Sequence, residues 1–286
     1  MKLIVNPRAG KFRKGSLLNK FIRLVERNFH REFNIEFTKA PLHAAEIAYR
    51  AIKEGFQNIV SVGGDGTFNE VVQGTRGENV NLGIIPMGSG NDFAKSINLY
   101  LPPFKVLGSI HRYKPLLVDH VKVNDTYFVN VLGTGIDSEV VKYLKNKRNY
   151  LFGFYRSLIK HKPNKFDVTI DGREYRFNNV NLLAVANGKY FGHSMKIAPN
   201  ADVTDGLLNI VVVRNFRRLK LFFLFPRIYS GTHVNHPNVI TLKGKSIKVS
   251  SEKEIYYQRD GELGKSPELN IEVVHKGLKL LVPTES

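Results

Sequence analysis

Residues 62–70 read VGGDGTFNE and follow the apolar, β-branched run NIVS at 58–61. Such a run reads as a strand, and Thr67 to Gln73 reads as the opening of a helix. Glycines at a strand-to-helix junction let a ligand approach the backbone, and the N–H groups of a helix start attract anions. Asp65 is the unusual member. A carboxylate repels phosphate unless a divalent cation lies between them, so the stretch points to a metal-neutralised nucleoside triphosphate rather than a redox dinucleotide. A plain turn with a helix-capping aspartate is the simpler alternative.

The same rhythm recurs on both sides. KLIVN at 2–6 reads as a strand, Leu17 to Phe29 as a helix, Asn34 to Thr38 as a strand and Ala44 to Gly55 as a helix. Leu82 to Pro86 (LGIIP) is a further strand. Alternation of this kind predicts an α/β domain with a Rossmann-like parallel sheet and helices on both faces. Beyond about Lys114 the texture changes to strand-like runs separated by Asn, Asp and Gly, such as FDVTIDGREYRF and VITLKGKSIKVSS. That grammar predicts an antiparallel β-sandwich. Basic helical stretches interrupt it near Val140 to His161 and near Phe216 to Ser230. The expected domains are therefore residues 1–116 and 117–276. Residues 277–286 are a candidate completion of the first, although Leu278 to Val282 can pair in either.

Two common phosphate loops fail. Gly10 to Ser16 (GKFRKGS) carries Ser where a Walker A loop needs Lys, and Gly64-Asp65-Gly66 is followed by Asn69 where a dinucleotide fingerprint needs a third glycine. A second glycine-rich turn, PMGSGNDFA at 86–94, supplies Ser89, Asn91 and Asp92 at another strand exit. Asn6-Pro7-Arg8-Ala9-Gly10 follows the first strand, and Thr38-Lys39 the second. Loops at the C-terminal ends of parallel strands converge on one crevice, so these four exits are expected to share a site.

The totals bound the rest. The chain has 286 residues, no cysteine, and 43 Lys and Arg against 25 Asp and Glu, a net charge of +18. Disulfides, thiolate nucleophiles and zinc–thiolate sites are excluded. No apolar run approaches the ~20 residues of a membrane span. The excess charge favours anionic partners, or else a solvated basic surface. The histidines lack metal-ligand spacing, and no Gly-x-Ser-x-Gly elbow marks a hydrolase.

Taken together, NPRAG at 6–10, Thr38, GGDGTFNE at 63–70, PMGSGNDFA at 86–94, FVNVLGTGID at 128–137, NGKYFG…APNADVTDGLL at 187–208 and QRDGE at 258–262 resemble the diacylglycerol kinase catalytic family. The resemblance is to its bacterial soluble lipid kinase branch, with sphingosine kinases as relatives, and spans nearly the whole chain in family order. GGDGT alone is shared with NAD kinases and phosphofructokinases. The resemblance implies a nucleotide-binding domain followed by a lipid-binding β domain, with the active site in the cleft between them. It implies ATP contacts at Asn6, Pro7, Arg8, Ala9, Gly10, Thr38, Gly64, Asp65, Gly66, Thr67, Phe68, Asn69, Glu70, Ser89 and Asn91. Glu262 matches the family's proton acceptor for the lipid hydroxyl; Asp260 is the alternative, and Asp65 the third catalytic candidate. A solvated glutamate beside a hairpin turn is the simpler reading of DGE. A structural Mg²⁺ is implied at Asp202, Asp205 and the carbonyl of Leu207, with Asp92 and Asp119 in a linked acidic network. KYFGHSMKIAPNA at 189–201 departs from the family by its His193, Met195, Lys196 and Asn200.

Residues 142–162 carry seven Lys or Arg and residues 214–230 five, without acids and among aromatic and aliphatic neighbours. Both suit peripheral contact with an anionic membrane surface, or an amphipathic helix with a solvated basic face. No groove-reading motif appears, so nucleic acid is not an expected partner. A homodimer is compatible with the sequence. The expected enzyme is an ATP- and Mg²⁺-dependent kinase of a diacylglycerol-like lipid, cytoplasmic and peripheral at the membrane. The rivals are a GGDGT kinase with a soluble acceptor, such as NAD, and a non-catalytic binder of anionic membrane or nucleic acid.

Overall fold

The computed structural model describes residues 1–29, 31–143, 156–158 and 161–283. The chain has a mixed α/β two-domain fold with a strand-rich C-terminal domain. One unit comprises Met1–Val118 with Lys276–Ser286, the other Asp119–His275.

In the first unit, β1 (Lys2–Val5), β2 (Asn34–Phe37), β3 (Asn58–Gly63) and β4 (Asn81–Pro86) pair in parallel in the order β2-β1-β3-β4. Strands flanked on both sides bury both faces and read as continuous apolar runs. Leu3, Ile4 and Val5 are buried accordingly, as are Ile59, Val60 and Val62. The helices are α1 (Ser16–Asn28), α2 (His43–Lys53), α3 (Asp65–Thr75), α4 (Asp92–Ser96) and α5 (Pro103–Ser109). α2 buries Ala44, Ile47, Ala48 and Ala51, the i, i+3, i+4, i+7 stripe that an amphipathic helix turns to a core. Gly55 lies just beyond it in the left-handed region, where glycine costs least. The chain's closing strand also joins this sheet, with Lys279 and Leu280 parallel to Asn81 and Leu82 of β4.

The second unit contains β7 (Val131–Gly135), β8 (Asn164–Ile170), β9 (Arg173–Ala186), β10 (Leu208–Arg214), β11 (Val239–Gly244) and β12 (Ser246–Arg259), together with the first part of β13 (Glu262–Val282). β5 (Lys114–Val123) and β6 (Thr126–Phe128) form a further hairpin. Antiparallel pairing runs β11-β10-β9-β7-β12-β13, with β8 alongside β9 and β12. Alternate residues face opposite sides, as the two-residue repeat demands. Leu182, Ala184, Ala186, Val211 and Val213 pack with α6 (Ile136–Tyr143) and α7 (Arg218–Ser230) through Val140, Leu221, Leu224, Phe225 and Ile228. Leu183, Val185, Ile210 and Val212 enter a separate core with Phe166, Val168, Ile247, Val249, Leu269 and Ile271.

α7 begins two residues later than its periodicity predicts. Asn181 holds both the N–H (3.1 Å) and the C=O (3.2 Å) of Phe216, and this keeps Phe216 outside the helix. Of the predicted basic stretch at 142–162, residues 144–155 and 159–160 lie outside the described residues.

Candidate active site

In the first unit, the three glycine-rich turns meet through their backbones. Gly10 lies against Ser89, and Gly64 against Gly88, so closely that a Cβ on Gly88 would stand 2.5 Å from the Cα of Gly64. Cross-loop hydrogen bonds lock the arrangement. Asn6 Nδ2 donates to Thr67 Oγ1 (3.0 Å), Lys11 N–H to the Met87 carbonyl (2.9 Å), and Met87 N–H to the Gly63 carbonyl (2.7 Å). Thr38 N–H donates to the Val5 carbonyl at the end of β1. Gly88→Ala is therefore expected to force apart two backbones that have no slack, at a cost of about 1–3 kcal/mol. Urea denaturation measures the loss, and nucleotide affinity should fall with it.

Asp65 does two things at once. One oxygen, Oδ1, accepts the N–H of Phe93 at the first turn of α4 (3.0 Å), so it caps a helix other than its own. The other, Oδ2, lies close to Gly90, as does Asp92 Oδ2, so both carboxylates converge on that glycine. Asn91 bridges its own turn, accepting from Gly88 N–H and donating to Gly88 C=O.

Not every expected nucleotide contact offers its side chain. Phe68 is buried and stacks on Phe93 with ring centroids 5.2 Å apart, which makes it core. Asn69 is buried, with Nδ2 lacking a hydrogen-bond partner. Glu70 accepts the N–H of Ala44 (3.1 Å) in the first turn of α2. Arg8, Gly10, Gly66 and Ser89 are exposed.

Two lysines that the motif reading passed over flank the 86–90 turn. Lys11 Nζ donates to the Pro86 carbonyl (3.2 Å) and Lys95 Nζ to the Gly90 carbonyl (2.7 Å). Burial, and then the charge of Lys95, hold Lys11 below the usual lysine range. An anion near both would relieve that repulsion. Their sequence signal was a lysine one residue past Gly10 and another three past Asp92, visible only once the loops are known to meet.

In the second unit, Asp260-Gly261 is the two-residue turn between β12 and β13, with φ of 45° and 85° and Arg259 paired to Glu262. Positive φ at both positions is what a type I′ hairpin turn requires, and Asp-Gly supplies it. The Asp260 carboxylate accepts three backbone N–H groups, from Val129 (2.8 Å), Asn130 (3.2 Å) and Val131 (3.0 Å). This leaves it poorly suited to take a substrate proton. Glu262 is half-buried, with Arg259 Nη2 at 3.4 Å.

Asp202 Oδ1 accepts from Thr204 N–H and Oγ1, and Asp205 Oδ1 from Leu207 N–H. Asp205 Oδ2 also pairs with Lys243 (3.2 Å), so this turn already attracts a cation. Buried Asp119 is held by Gly206 N–H (2.7 Å) and His275 Nδ1 (2.9 Å). Among the described residues no three His, Cys, Asp or Glu come together as a metal cluster. Magnesium binds through one or two carboxylates and retains waters, so Asp202, Asp205 and the Leu207 carbonyl still fit it. The departing segment forms a tight loop in which Gly192, His193 and Ser194 all have positive φ, closed by hydrogen bonds between Phe191 and Met195.

A cavity of about 390 Å³ lies beside the hairpin, lined by Ser138 and Lys142 of α6, Phe166 of β8, Ile255 and Tyr256 of β12 and Leu263 of β13. Its wall opens where the β12–β13 register shifts between Ser250 and Ile255. Pro267, opposite the shift, has no N–H with which to continue the ladder.

Residues 1–123 match the diacylglycerol kinase catalytic domain, and residues 130–282 the YegS C-terminal NAD kinase beta sandwich-like domain. Curated relatives include a diacylglycerol kinase of Staphylococcus carnosus (strain TM300), 29% identical over 92% of this chain and 88% of that one. Another is a diacylglycerol kinase of Mycobacterium tuberculosis (strain ATCC 25618 / H37Rv), 28% identical over 98% and 94% of the two chains. A crystal structure from Bacillus anthracis str. Sterne superposes with a TM-score of 0.82 at 25% identity, covering 99% of this chain and 94% of that one. With both domain matches in order over nearly its full length, the chain belongs to the diacylglycerol kinase family of lipid kinases.

Proposed function

We propose that this protein transfers the γ-phosphoryl group of ATP, with Mg²⁺, to a hydroxyl of a diacylglycerol-like lipid. The observation that carries the reading is the backbone contact of the Gly10, Gly64 and Gly88 turns, which lines one end of the parallel sheet with small residues and exposed backbone. Such a surface suits phosphate, and Lys11 and Lys95 add two cations at its edge. ATP would supply the phosphoryl group, and the metal would neutralise its charge. The Rossmann-like character of the sheet is part of this proposal.

Within the second unit, Glu262 is the proton acceptor, because a primary alcohol is a poor nucleophile until a carboxylate takes its proton. Asp260 fixes the turn that presents Glu262. The cavity bounded by Phe166, Tyr256 and Leu263 takes an apolar chain of the acceptor. Asp202, Asp205 and the Leu207 carbonyl hold a structural Mg²⁺, and Asp119 tethers their turn through Gly206.

One observation favours a second reading: the C-terminal match is to an NAD kinase beta sandwich-like domain, so a soluble acceptor such as NAD is the alternative. The test offers labelled ATP with vesicles of diacylglycerol, vesicles of a sphingoid base, or NAD. Label in diacylglycerol supports the proposal, and label in NAD alone overturns it. Lys11→Ala is expected to lower kcat/KM for ATP about 10- to 100-fold, the worth of a charge-assisted contact of ~1.5–3 kcal/mol. An unchanged value would remove Lys11 from the site.

A further inference from the structure

α7 is apolar on two sides. Leu221, Leu224, Phe225 and Ile228 turn inward to the core, yet Phe222, Phe223 and Tyr229 are 43%, 66% and 42% exposed. A helix that meets water on one side normally carries its polar face there. The outward side of α7 instead alternates aromatics with cations. Lys220, Phe223 and Arg227 follow at i, i+3 and i+7 and so lie in one row, with all three exposed. Phe222 stands edge-on to Phe223 at 5.6 Å, and Pro226 is exposed one turn further along. No Asp or Glu occurs anywhere from Gly206 to Ser251.

We infer that this face of α7 is a membrane-docking surface, lying flat on an anionic bilayer with Phe222, Phe223 and Tyr229 at the headgroup boundary and Lys220 and Arg227 on the lipid phosphates. Aromatic rings favour that depth, and flanking cations gain from a negative surface. Thirteen residues reach about 20 Å, too short to span a ~30 Å hydrocarbon core, so the helix lies on the bilayer rather than through it. Among the described residues no helix is long and apolar enough to cross a membrane. Phosphates of nucleic acid would meet the cations equally well, so duplex binding is measured beside vesicle binding in the test. The inference holds whichever hydroxyl the enzyme phosphorylates.

Co-sedimentation of the full chain with phosphatidylcholine vesicles, with and without phosphatidylglycerol, tests it. Wild type should bind the anionic vesicles, bind the neutral ones weakly, and release as salt rises. F222S/F223S should lower anionic-vesicle affinity by about tenfold or more while its circular dichroism and melting temperature match wild type. K220Q/R227Q should bind more weakly with a flatter salt dependence. Tyr49→Ser, which removes an exposed aromatic of the first unit, serves as the control and should bind as wild type does. Unchanged vesicle binding by F222S/F223S overturns the inference. So does a shift of F222S/F223S from dimer to monomer with vesicle binding intact, which would give the face to a second copy. Loss of duplex binding by K220Q/R227Q without loss of vesicle binding overturns it in favour of nucleic acid.

Discussion

Asp260→Ala is expected to destabilise the fold by about 3–5 kcal/mol, because it takes the acceptor from three backbone N–H groups at once. Its carboxylate is the shared acceptor for the N–H groups of Val129, Asn130 and Val131, all buried residues leading into the start of β7. Each N–H left without a partner costs ~1–3 kcal/mol. The residue also occupies a left-handed turn position that Asp and Asn tolerate and Ala does not. Asp260→Asn should keep the turn and one acceptor oxygen, and fall between the two. Urea unfolding measures the series. A stable but inactive Asp260→Ala would reverse the assignment and make Asp260 the proton acceptor in place of Glu262.

Glu262→Gln is expected to do the opposite. It pairs with Arg259 at 3.4 Å, a partly exposed pair, and such pairs are worth ~0–1 kcal/mol. Stability should hardly move. Loss of a positioned general base lowers turnover by about 10²–10⁴-fold, and KM for ATP should stay near wild type because Glu262 lies outside the unit proposed to hold ATP. Steady-state kinetics on detergent-dispersed lipid separates these quantities. A kcat within tenfold of wild type would sink the role of Glu262.

Much of the candidate site was legible because its parts are local. VGGDGTFNE is a strand, a turn and a helix in nine residues, and apolar runs with glycines are enough to read that. The bounds of α1, α2 and α3 fall within two residues of their periodicity. The simpler readings also have substance: Asp65 does cap a helix, and Asp260-Gly261 is a hairpin turn. A residue can serve structure with one oxygen and remain available with the other, as the two oxygens of Asp65 illustrate. What escaped the motif reading was Lys11 and Lys95, because a lysine near a loop is unremarkable until two of them lie at one turn. Phe68 and Asn69 belong to the same motif, but their side chains went to the core, which leaves their backbone to face a nucleotide.

The amino-acid sequence by itself determined the kinds of element, the turn types and the chemistry on offer, since backbone preference and hydrophobic period act over a few residues. It also carried the family, because the motifs are contiguous and occur in order. Only the tertiary structure decided which carboxylate is occupied. Asp260 meets its three donors across about 130 residues of chain, and Asp65 meets Phe93 across 28. It likewise decided which side of α7 is left outward, because that depends on what the core accepts and not on the helix alone. A lone pair is committed or available according to what folding brings to it, and no period in the sequence records that.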